Sequence, residues 1–143
     1  MTAYFTIEPV DAQACADHED RHESLNAAFK AAGHATKIGD PPCELVAHGD
    51  ISALWEVEVE PGIALWQGYQ FEPCDGYYEH IANAHGNQYS LPDISHAETG
   101  VVRGANGHII GTYAACRACN VLKIRPIAKA WKGAIDFVTD ARI

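Results

Sequence analysis

The sequence predicts an α+β chain: an N-terminal helix and an antiparallel β-hairpin, followed by a smaller module that carries thiolates. Three stretches support this. A helical pattern runs from Asp11 to Ala32. SALWEVEVEPGIALWQGYQF alternates with period two about a Pro-Gly turn. TYAACRACNVLK sets Cys116 and Cys119 with two residues between them, Asn120 directly behind and Lys123 further on. At 143 residues and 48% apolar, the chain suits one compact body with a modest core of two layers. Within it we distinguish an acidic region, 1–70, and a module, 71–143.

Taken in order, AYFTIEPV alternates briefly and reads as an edge strand that Pro9 stops. In the helix that follows, Ala14, Leu25, Ala28 and Phe29 form an apolar stripe, and Gly33 is the expected stop. Cys15, His18 and His22 share one face of that helix, which reads as solvated. GDPPC is a turn, and Cys43 beyond it a buried thiol. Trp55 and Trp66 are expected to meet across the hairpin as core residues. A short helix is expected over Tyr77–Ala84, then a short strand that delivers His96. VVRGANGHIIGTYAA reads as a glycine-rich loop and a second strand. CRACNVLKI is expected to open a helix that Pro126 kinks or ends. A further turn reaches Trp131, a packing anchor, and AIDFVTD is a last strand.

The net charge of −9 conceals an asymmetry. Residues 1–98 hold 17 acidic and 3 basic side chains, a net −14; residues 99–143 hold 2 acidic and 7 basic, a net +5. Binding follows the local field, so DNA or another nucleic acid is expected to bind through residues 99–143. The acidic N-terminal half offers a surface for a protein partner. No apolar run approaches the ~20 residues that span a bilayer. The N-terminus lacks the pattern of a signal peptide. Five scattered cysteines suit a reducing, cytoplasmic setting and a metal-bound CxxC better than a disulfide framework.

Zinc favours thiolate and imidazole ligands in tetrahedral sites, and a CxxC places two thiolates on one tight turn. Cys43, Cys74, His80, His85 and His96 are the residues that could complete a site with Cys116 and Cys119. With His96 twenty residues before Cys116 and CxxCNxxK at Cys116–Lys123, the stretch of roughly 71–126 resembles the HNH endonuclease family in its ββα-metal form. Cys74-Asp75-Gly76-Tyr77 stands where that family has a first CxxC, and Ser95-His96 where it has Asp-His. Gly104–Gly107 stands in its loop. Three positions depart from the pattern: Tyr77 replaces a cysteine, Ser95 an aspartate, and Gly111 or Thr112 an asparagine.

The resemblance implies a ββα-metal module stabilised by a structural zinc on Cys116, Cys119, Cys74 and His80. It implies His96 as general base and Asn120 as ligand of a catalytic Mg²⁺ or Mn²⁺. Arg117, Lys123 and Arg125 would face phosphate. The implied activity is metal-dependent hydrolysis of DNA phosphodiesters. The same residues also resemble the zinc-dependent nucleoside and nucleobase deaminases. There His96, Cys116 and Cys119 would hold one zinc, and Glu98 would move protons. The proline usual before the first cysteine is Ala115 here. A third reading is a non-catalytic binding module stabilised by zinc.

Overall fold

The computed structural model describes residues 3–8, 21–35, 44–74 and 97–127, without the side chains of 33–35. Among the described residues, nine strands form a single antiparallel sheet in the order β2-β1-β3-β9-β8-β7-β6-β5-β4. The strands are β1 Tyr4–Glu8, β2 Arg21–His22, β3 Glu44–His48, β4 Glu58–Glu60, β5 Ile63–Trp66, β6 Tyr69–Pro73, β7 Glu98–Arg103, β8 Ile109–Cys116 and β9 Val121–Pro126. One helix, α1 (Leu25–Ala35), and one 3-10 turn (Ser52–Trp55) accompany them. This corrects the α+β expectation and its ββα-metal module. Strands from both sides of residue 70 share the sheet, since β3 pairs with β9 and β6 with β7.

Side-chain alternation accounts for much of the sheet. In β1, Phe5 and Ile7 are buried while Tyr4 and Thr6 are half-buried and Glu8 is exposed. In β9, Leu122, Ile124 and Pro126 are buried, and Val121, Lys123 and Arg125 are half-buried. The CxxC therefore runs from the end of β8 into the turn that leads to β9, where a helix was expected. β1 lies between β2 and β3 and is no edge strand. The expected helix from Asp11 begins, among the described residues, only at Leu25, and Arg21–His22 is strand. Ser24 caps it, its Oγ accepting the Ala27 N–H at 3.2 Å. The helix runs past Gly33 to Ala35.

The Pro61-Gly62 turn joins β4 and β5 as expected. The returning strand then breaks at Gln67-Gly68, where φ of 54° and 86° makes a second tight hairpin. Gln67 also caps the helix, its Oε1 accepting the Leu25 N–H at 2.6 Å. Trp55 sits in the 3-10 turn and Trp66 in β5, so the expected cross-strand pair does not form; Trp66 is opposite Tyr69.

Leu25, Ala28, Phe29 and Ala32 of α1 pack with Phe5, Leu45, Trp66, Phe71, Tyr113 and Ile124 in the main core. Tyr69 reaches into this layer and donates its hydroxyl to Asn26 Oδ1 at 2.6 Å. On the opposite face Cys74, Val101, Ile109 and Ile127 form a second apolar cluster. Every residue of β8 is buried, so this strand lies between two covered faces. No described helix is long and apolar enough to cross a membrane. The expected elements at Tyr77–Ala84, around His96 and after Trp131 lie outside the described residues, as does Cys43.

Candidate metal centre

β8 and β9 pair from Gly111↔Pro126 to Cys116↔Val121, and the last rung leaves Arg117–Asn120 as the connecting loop. Loop closure depends on Asn120, which adopts φ 57°. Asparagine tolerates this left-handed conformation better than most side chains. The turn brings the Cys119 N–H onto Cys116 Sγ at 3.4 Å. Cys116 is buried at the end of β8, while Cys119 is exposed.

These contacts set the acidity of the pair. The Cys119 N–H, with further help from the Cys119 thiol and the Ala118 N–H, holds Cys116 below its ordinary thiol value. Donation to the Cys116 sulfur and the charge growing on it push Cys119 up. The two titrate as a pair, with Cys116 favoured as the first thiolate. Two sulfurs on one turn, with N–H groups aimed at one of them, suit a soft divalent cation. Among the described residues, no three His, Cys, Asp or Glu side chains gather as a metal site. His80 and His96 lie outside the described residues. Ala97, which follows His96, precedes Glu98, the partner of Ala115. The chain thus enters β7 beside the end of β8 that bears Cys116.

Cys74 is not part of the knuckle. It is buried with Val101, Ile109 and Ile127, and its N–H donates to the Thr99 carbonyl at 2.7 Å. Asn120 joins the hairpin to the segment after β3: Oδ1 accepts the Ile51 N–H, and Nδ2 donates to the Gly49 carbonyl. Glu98 is exposed at the start of β7 and accepts the Tyr113 hydroxyl at 2.9 Å. Burial and this carboxylate push the Tyr113 phenol far up.

The three cations expected to face phosphate are placed differently from one another. The Arg117 guanidinium lies over the Trp55 ring, 4.5 Å from its centroid. Arg125 Nε donates to Glu44 Oε1 at 2.7 Å. Lys123 stands between Val46 and Ala114 on the sheet. Arg103 is likewise paired, donating to Glu72 Oε2 at 2.9 Å. Two of the described C-terminal cations are therefore matched by carboxylates, Arg125 by Glu44 of the acidic region and Arg103 by Glu72.

Sequence reasoning missed Trp55 as the partner of Arg117 and Glu44 as the partner of Arg125. The first had no signal, because the two residues are distant in sequence. The second could have been sought in the opposite charges of Glu44 and Arg125, each set beside apolar residues. No family model, curated protein or solved structure matches the chain.

Proposed function

We propose that this chain is a non-catalytic binding module whose sheet is fastened at the β8–β9 hairpin by zinc on Cys116 and Cys119. The observation that carries this reading is the knuckle geometry: two cysteines on one tight turn, N–H donors to Cys116, and Asn120 in the left-handed conformation. A metal-bound thiolate needs such donors, because they stabilise sulfur in its charged form. The sequence offers His96 as a candidate third ligand.

The zinc reading is tested on purified protein by metal content and thermal stability. Cys116→Ser is expected to lower both together, because metal binding here contributes folding free energy. Unchanged stability in strong chelator, with a wild-type melting curve for the variant, sinks it.

The binding module ranks ahead of the nuclease because the helix that would present Asn120 and the cations to DNA is replaced by β9. The carboxamide of Asn120 is also engaged at both ends. DNA nicking in added Mg²⁺ or Mn²⁺ that disappears in His96→Ala would restore the nuclease. The deaminase reading has a parallel test: ammonia release from a cytosine or adenine substrate, lost in Glu98→Gln with zinc retained.

A further inference from the structure

β4 ends the sheet, with no described strand beyond it. The Leu65 N–H donates to the Val57 carbonyl at 2.8 Å, and the next rung is Glu58 opposite Ala64. In an antiparallel pair, successive residues point their N–H and C=O groups alternately toward and away from the neighbouring strand. With Val57 turned toward β5, Glu58 presents both backbone groups to the open edge. The register slips between Glu58 and Glu60, leaving Val59 without a rung of its own.

The side chains here are unusual for this protein. Val57 and Val59, 51% and 42% exposed, are its exposed large hydrophobics among the described residues. They alternate with Glu56, Glu58 and Glu60, all exposed. No ion pair among the described residues involves these three carboxylates. The sequence has no lysine or arginine between Lys37 and Arg103 to neutralise them locally. Charge on an edge strand guards against aggregation. That role accounts for the glutamates, but not for two β-branched apolar side chains set between them on the same open edge.

We propose that the β4 edge docks an extended segment of a partner protein in which lysine or arginine alternates with aliphatic residues. The backbone groups of Glu58 supply strand pairing, the carboxylates meet the cations, and Val57 and Val59 meet the aliphatic side chains. A second copy of this chain is a poor occupant, because β4 against β4 sets glutamate near glutamate. The inference names the partner class of the binding module and does not use the zinc.

The test is a titration of the full-length, ¹⁵N-labelled protein with a capped peptide of about eight residues alternating Lys and Val, a length that covers a typical strand. Two controls are a Glu-Val alternating peptide and a peptide of the same composition with Lys and Val in blocks. Shifts are expected at the Val57–Glu60 amides with the alternating Lys-Val peptide, weakening as salt rises. The double variant Glu58→Lys, Glu60→Lys is expected to weaken binding at least about tenfold. Val57→Ser with Val59→Ser is expected to weaken it less. No shifts at β4, equal binding of the block peptide, or indifference to charge reversal would overturn the proposal. Zinc content read on the same samples keeps failure of the knuckle distinct from failure of the edge.

Discussion

The Asn120 side chain fastens the CxxC hairpin to the segment after β3: Oδ1 accepts the Ile51 N–H at 3.0 Å and Nδ2 donates to the Gly49 carbonyl at 2.6 Å. The same residue carries the left-handed φ that closes the loop. Asn120→Ala loses two hydrogen bonds and gains backbone strain, a cost of about 2–3 kcal/mol in urea denaturation. Asn120→Gly loses the bonds but not the conformation, so it is expected to be about 1 kcal/mol less damaging. Equal losses in the two variants would show that the left-handed turn does not matter to stability.

Arg117 and Trp55 form a second link between the knuckle and the 3-10 turn, at 4.5 Å. Arg117→Ala is expected to cost about 0.5–1 kcal/mol, as for exposed cation–π pairs. It is also expected to shift Trp55 fluorescence. A variant with wild-type fluorescence, but weaker and less salt-sensitive DNA binding, would place Arg117 on phosphate instead.

The knuckle's paired titration gives a pH signature in the metal-free protein. Cys116 is depressed in the folded state, so below the ordinary thiol value the unfolded chain holds more protons and stability rises with pH. Cys119 is raised, so above that value the folded chain holds more protons and stability falls. The part of the thiolate absorbance that is lost in the Cys116→Ser, Cys119→Ser double variant is expected to rise in two steps, one on each side of the ordinary thiol value. Both steps are expected to vanish when zinc is bound. A single unshifted step would contradict the N–H contacts to Cys116.

Gly100 gives the severest expected substitution. A Cβ there would collide with the Glu72 carbonyl and would stand 2.8 Å from both Pro73 Cα and Tyr113 Cε1. Gly100→Ala is expected to cost more than about 3 kcal/mol, because two of these neighbours are backbone. Tyr113→Phe, which removes only the hydroxyl bound to Glu98, is expected to cost about 1–2 kcal/mol by chemical denaturation. A tolerated Gly100→Ala would mean that β6 and β7 lie further apart than their pairing indicates.

Local pattern made parts of this architecture legible. Val121–Pro126 alternates with period two, and that alternation is what the sheet uses. The helix expected over CRACNVLKI, bounded by Pro126, sets that alternation aside. Pro61-Gly62 marked its turn, but Gln67-Gly68 did not stand out, because only the glycine is a familiar turn residue there. Leu25, Ala28 and Phe29 revealed the buried face of α1, whereas Ser24, its cap, lay inside the longer expected helix. Cys116 and Cys119 were evident as a pair from spacing alone. Their neighbours were not, because Trp55, Gly49 and Ile51 reach the knuckle only once β3 has paired with β9.

Zinc X-ray absorption on the purified full-length chain reads directly whether the β8–β9 hairpin is a thiolate metal site. One zinc per chain is expected, with two sulfur neighbours at about 2.3 Å, both lost in the Cys116→Ser, Cys119→Ser double variant. A zinc shell made only of nitrogen and oxygen at about 2.0 Å, or one unchanged in the double variant, would contradict it.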